Sequence, residues 1–120
     1  MLYFYIMAEV KVRTVVFFED HFHRFFEQLD SKSQQKVLWT LRLMETNTVL
    51  TREHFKPIAG VPGLFEIRIS IGGNAYRIFA VLSKMKELVL LNGFQKKTAK
   101  TPRQEITRAQ IIKTRYEQET

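Results

Sequence analysis

The sequence predicts an α+β domain that is mainly antiparallel sheet, with a helical hairpin before the sheet and one helix after it. Three observations carry this. Apolar residues recur at helical spacing between Phe22 and Met44. From Phe65 to Phe94 they fall into three short strand-like runs separated by turn residues. A Thr-Pro-Arg-Gln start signal then opens a last amphipathic stretch at Thr101.

In chain order, Val10, Val12, Val16 and Phe18 alternate with Lys11, Arg13 and Phe17, which predicts a strand. Asp20 offers an N-cap to a helix carrying Phe22, Phe25, Phe26 and Leu29. Ser31 with Gln34 reads as a capping box for a second helix, whose stripe is Val37, Leu38, Leu41 and Met44 and which ends near Asn47. Two helices so closely spaced predict an αα-hairpin. Val49 to Gly63 shows little periodicity, with turns at Lys56-Pro57 and Val61-Pro62-Gly63. Strands follow at Phe65–Ile71, Ala75–Leu82 and Glu87–Phe94, joined at Gly72-Gly73-Asn74 and Ser83-Lys84-Met85-Lys86. Gln95 to Lys100 is a basic loop. The last helix has Thr101 at its N-cap, Pro102 at its first position, Gln104 at its third, and Ala109, Ile112 and Tyr116 as its apolar stripe.

Composition bounds the function. The 120 residues fit one domain over 1–120, with residues 1–8 read as an extension, and 45% apolar residues including ten Phe can fill its core. Nineteen Lys and Arg against twelve Asp and Glu leave a formal charge of +7, which suits a polyanionic partner. The absence of Cys excludes disulfides and thiolate metal sites, and a cytoplasmic protein is the simplest fit. No apolar run reaches the roughly 20 residues of a membrane span, so no membrane partner is expected. Met1 to Ile6 is apolar but too short for a signal peptide, and Met7 offers an alternative start.

The meander gathers polar groups. Strand alternation puts Glu66, Arg68 and Ser70 on one face. A two-residue Gly72-Gly73 loop sets Arg68 opposite Arg77; a Gly73-Asn74 loop sets Ser70 there instead, and either keeps both arginines on one face. A four-residue second turn pairs Leu82 with Glu87, placing Asn92 opposite Arg77 and Phe94 on the same face. The other face, with Phe65, Ile67, Ile69, Ile71, Ile78, Leu82, Val89 and Leu91, is the more apolar, so the helices are expected there and the arginine face is expected to be partly open. Paired arginines on a sheet repel, so they are either neutralised by Glu66 and other acids or await an anion that matches their planar forks. His21 and His23 point apart on a helix and His54 has no ligand pattern around it, so no metal and no other cofactor is expected. No phosphate-binding Gly loop and no nucleophile elbow is present.

Four fragments in order resemble one family: Gly63-Leu64-Phe65-Glu66-Ile67-Arg68, Tyr76-Arg77-Ile78-Phe79, Leu90 to Thr98, and Lys100-Thr101-Pro102. They look like the phage-derived HigB-type branch of the RelE toxin superfamily, over about residues 9–116. The resemblance implies a small RelE-like fold and the toxin of a bacterial type II toxin–antitoxin pair. It implies a metal-independent endoribonuclease acting on mRNA in the ribosome, and neutralisation by a cognate antitoxin, often a helix-turn-helix protein. The free toxin is expected to be a monomer. Carried over, the arginines are Arg68 and Arg77, the basic pair is Lys96 and Lys97, and Lys56 matches another basic position. Asn92 departs from the pattern, because His is frequent there.

The implied chemistry is attack of the RNA 2′-oxygen on the adjacent phosphorus, leaving a 2′,3′-cyclic phosphate. Arg68 and Arg77 would stabilise the developing charge. Lys97 would protonate the leaving 5′-oxygen or hold its phosphate. Glu66 would act as base or, preferably, as the partner that orients Arg68. Phe94 would stack on a base or simply edge the core, and Lys56, Asn92, Lys96 and Lys100 would bind RNA. The rival reading is a non-catalytic RNA- or DNA-binding module using Arg103, Arg108, Lys113 and Arg115 as a phosphate-positioning face. A third is a structural phage protein with an acidic partner.

Overall fold

The computed structural model describes residues 11–120. The expected extension over residues 1–8 and the strand's first residue, Val10, lie outside it. The elements are β1 (Thr14–Phe17), α1 (His21–Glu27), α2 (Ser31–Thr46), β2 (Phe55–Pro57), β3 (Phe65–Ile71), β4 (Asn74–Leu82), β5 (Glu87–Lys96) and α3 (Arg103–Glu119). The strands form one sheet in the order β1-β5-β4-β3-β2, with β1 parallel to β5 and every other pair antiparallel. No helix among the described residues is long and apolar enough to cross a membrane.

The expected α+β architecture is present, but helices cover both faces of the sheet. On one face Phe25, Val37, Leu41 and Met44 of α1 and α2 pack with Ile67, Ile69, Tyr76, Ile78, Ala80, Leu88 and Leu90. On the other, Ala109 and Ile112 of α3 pack with Leu64, Phe79, Val81, Val89 and Leu91. The expectation that all helices share the Ile67–Ile78 face is therefore corrected: α3 lies on the arginine face. The cause is the second apolar set on β4 and β5, which needs its own cover.

Local signals set the helix ends with small shifts. Asp30, not Ser31, caps α2: its Oδ1 accepts from the Ser33 amide at 3.2 Å, and hydrogen bonding to the Ser33 side chain, and then to its amide, lowers the Asp30 pKa. Gln34 reaches back to the Phe26 carbonyl at 3.0 Å and ties the helical hairpin together. Asp20 makes no side-chain cap and instead pairs with Arg24 at 2.8 Å. Arg13 donates to the carbonyls of Met44, Asn47 and Thr48, so a side chain just before β1 satisfies the otherwise orphaned C-terminus of α2. Residues 49–63, expected to lack regular structure, contain β2, an edge strand that tolerates Pro57.

The first hairpin has the two-residue loop. Ile71 pairs with Asn74, and Gly72 and Gly73 take φ of 56° and 82°, the pair of left-handed residues that a type I′ turn requires. The second hairpin differs from expectation. Leu82 pairs with Leu88 rather than Glu87, which moves Leu88 and Leu90 to the Ile67–Ile78 face and Val89 and Leu91 to the arginine face. A bulge then sets Leu91 and Asn92 together against Phe79, so that Gly93 meets Ile78 and Phe94, not Asn92, stands opposite Arg77.

Candidate active site

β3 and β4 place Arg68 directly opposite Arg77, as the two-residue loop dictates. Glu66, two residues along β3 from Arg68, faces both guanidinium groups: its Oε1 lies 3.9 Å from Arg68 Nε and 3.7 Å from Arg77 Nε. Thr101 Oγ1 donates to the other carboxylate oxygen at 3.1 Å. This is the hydroxyl expected to cap α3; it holds Glu66 instead, and α3 starts without a side-chain cap. β2 brings in Lys56, paired directly with Glu66. Two guanidinium groups thus face one carboxylate, with Lys56 beside it in the strand register. Neutralisation is incomplete, so an anion is still attracted.

The two arginines differ in exposure. Arg68 keeps 37% of its side chain open. Arg77 is only 6% exposed and Glu66 likewise, so the expectation that the arginine face is partly open is corrected at Arg77. The reason is α3 and the loop before it, which lie over this face. Burial lowers the Arg77 pKa from its ordinary value, Glu66 opposes the shift and Arg68 adds to it. Arg77 Nη1 donates to the Tyr76 carbonyl at 3.0 Å, whereas its buried Nε has no hydrogen-bond partner. That Nε instead faces Glu66 at 3.7 Å, beyond hydrogen-bond distance.

Both arginines open onto a cavity of about 330 Å³, lined also by Lys36 and Thr40 of α2, Glu53, His54 and Ser70. It lies just before β2 begins, where β3 beyond Ile67 pairs with β4 alone. His54 reaches it because the chain entering β2 runs beside β3, with the Arg68 amide donating to the His54 carbonyl at 2.9 Å. Sequence reasoning considered His54 only as a metal ligand. The signal that would have found it is the β2–β3 pairing, which Lys56-Pro57 disguised as a turn. Among the described residues no three His, Asp or Glu side chains converge as a metal site would require.

The other expected site residues lie apart. Asn92 is 3% exposed beneath α3, its Nδ2 donating to the Glu105 carbonyl at 3.4 Å and its buried Oδ1 unpartnered. The expectation that it sits on an open surface opposite Arg77 is corrected; the bulge turns it under the helix. Phe94 is half-buried and stacks on Phe79 with centroids 5.7 Å apart, which suits an edge of the core. Lys96 ends β5 and folds back onto the Thr98 and Ala99 carbonyls, both at 2.6 Å. Lys97 is exposed at the strand's end. Lys100 is exposed beside Thr101 and Arg103 in a separate groove of about 740 Å³ against α3. Of the rival basic helix face, Lys113 pairs with Glu117 at 2.7 Å and Arg115 with Glu19 at 2.7 Å, leaving Arg103 and Arg108 exposed.

Comparison with known proteins agrees at the level of family and fold. Residues 24–115 match the family described as phage derived protein Gp49-like (DUF891). Among solved structures, a chain of the archaeal RelE–RelB complex from Pyrococcus horikoshii OT3 superposes with a TM-score of 0.52 at 16% identity, covering 74% of this chain and 98% of that one. No curated protein matches. The expected resemblance to a phage-derived, RelE-like branch is borne out, and the chain belongs to the Gp49-like family, folded as a RelE-like domain.

Proposed function

We propose that this protein is the toxin of a type II toxin–antitoxin pair, a metal-independent endoribonuclease that cleaves mRNA on the ribosome in the cytoplasm. The observation that carries the reading is the Glu66–Arg68–Arg77 cluster, whose two opposed guanidinium groups share one carboxylate at the mouth of a cavity. A scissile phosphate entering there meets Arg68 first, and Arg77 gives a preorganised charge behind it. Such donors act strongest where water is excluded and the developing phosphorane charge is greatest. Glu66 orients both arginines, held in turn by Thr101.

His54 supplies what Asn92 lacks. Imidazole is the side chain whose ordinary titration range spans neutrality, and this one lines the same cavity as the arginines. We assign it the transfer of the 2′-hydroxyl proton or the return of one to the 5′-oxygen. Lys56 and Lys97 bind flanking phosphates. Family membership and the likeness to a chain of a RelE–RelB complex support a cognate antitoxin. A helix-turn-helix protein is the natural candidate, and the free toxin is proposed to be a monomer.

Controlled expression in a bacterium, followed by mapping of mRNA 5′ ends, tests the reading. Cleavage in register with the reading frame is expected within minutes. Growth arrest without new 5′ ends would instead favour the non-catalytic binder.

A further inference from the structure

Trp39 is the chain's single tryptophan, and it projects from α2 with 53% of its surface exposed. Lys36, one turn earlier, sets its Nζ 4.3 Å from the indole centroid. Lys36 also lines the cavity onto which Arg68 and Arg77 open, together with Thr40. One lysine therefore joins an exposed aromatic ring to the proposed phosphate site.

We propose that Trp39 is a stacking platform for a base of single-stranded RNA whose phosphate occupies the Arg68–Arg77 cavity, with Lys36 contacting the backbone between them. The proposal rests on the endoribonuclease reading of that cavity. Every base offers a π-face, and single-stranded RNA is commonly held by exposed aromatic rings beside basic groups. The residues that flank Trp39 on the same face of α2, three and four positions away, are Gln35, Lys36, Arg42 and Leu43, of which only Leu43 is apolar. That surrounding fits a nucleotide better than the apolar ring of side chains that seals a tryptophan into a protein interface. Leu38 is equally exposed at 54% and provides an internal control.

The test is the dependence of cleavage rate on toxin concentration, using ribosomes programmed with a defined mRNA, for wild type, Trp39→Ala, Trp39→Phe and Leu38→Ala. Because both side chains are exposed, all four proteins are expected to melt alike. Trp39→Ala should raise the half-saturating concentration roughly tenfold or more, as loss of one base-stacking contact does, with a smaller fall in the plateau rate. Trp39→Phe should recover most of the loss, and Leu38→Ala should behave as wild type. An unchanged half-saturation in Trp39→Ala alongside active wild type would overturn the platform while leaving the active-site reading standing. An equal shift in Leu38→Ala would also overturn it, in favour of α2 docking on a protein through its apolar surface. A wild-type protein that fails to cleave would remove the active-site reading and the platform together.

Discussion

Glu66 holds a hydrogen bond from Thr101 and faces Arg68 and Arg77 from the same carboxylate, so single residues in this cluster are not equivalent. Arg77→Ala would leave the buried Glu66 without its closest cation. It should cost about 2 kcal/mol, below the usual range for a buried pair because Arg68 and Thr101 remain. Arg68→Ala removes a partly open side chain and should leave the unfolding midpoint nearly unchanged. Urea melts of the two variants check this directly, and equal midpoints would mean that Arg77 is not the structural member of the pair. A second position is sensitive for steric reasons. A Cβ on Gly93 would stand 2.7 Å from Phe25 Cδ2, so Gly93→Ala must push the α1 ring out of the core and should cost on the order of 1–3 kcal/mol, read from the same melts. The shared face of Arg68 and Arg77 was legible in the sequence, because either two-residue loop over Gly72-Gly73-Asn74 keeps them together; the structure's Gly72-Gly73 loop sets them directly opposite. The placement of Asn92 was not legible. A bulge needs no signature residue, and one extra residue between Leu90 and Gly93 reassigns every position after it.

α3 is the element that the sequence placed least well, although its range and apolar stripe were readable. Ala109, Ile112 and Tyr116 define which side of the helix is buried but not which face of the sheet it meets. That choice came from Phe79, Val81, Val89 and Leu91, whose common face depends on the misread second hairpin. The C-terminal half of α3 is fastened to the turn between β1 and α1. Arg115 grips the Glu19 carboxylate through Nε at 3.2 Å and Nη2 at 2.7 Å, His21 adds a 2.7 Å contact, and Tyr116 meets Phe18 edge-on at 5.4 Å. Hydrogen bonds from Arg115 and then His21 lower the Glu19 pKa from 4.5 to about 2. A carboxylate depressed in the folded state stabilises it fully above its unfolded value and loses that contribution as pH falls through the folded one. The fastening should therefore weaken between pH 4.5 and 2, with Arg115 charged throughout. Hydrogen exchange of α3 amides should accelerate across that window relative to those of β4, and Glu19→Gln should flatten the difference. Identical profiles in both proteins would exclude Glu19 as the acid-sensitive link.

At the scale of the molecule, the two helix layers divide the work. α1 and α2 close the face that stays a core, while α3 and the loop before it cover the face that carries Glu66, Arg77 and Asn92. Both arginines open onto the cavity at the uncovered edge of β3, which His54 and Lys36 also line. The formal charge of +7 favours a polyanion at any surface, but this geometry selects where one phosphate can meet two guanidinium groups. Composition points to a polyanionic partner. The edge cavity was not legible, because it depends on where β2 begins, and a three-residue strand leaves almost no pattern to read. The most direct measurement is single-turnover cleavage of a ribosome-bound message by wild type and Arg68→Ala, with the 3′ ends of the upstream fragments identified by mass spectrometry. Wild type should yield 2′,3′-cyclic phosphate ends, and Arg68→Ala should be slower by roughly a hundredfold or more with its fold intact. Cleavage by Arg68→Ala at the wild-type rate, or wild-type fragments ending in a free 3′-hydroxyl, would contradict a site in which Arg68 and Arg77 stabilise attack by the RNA's own 2′-oxygen.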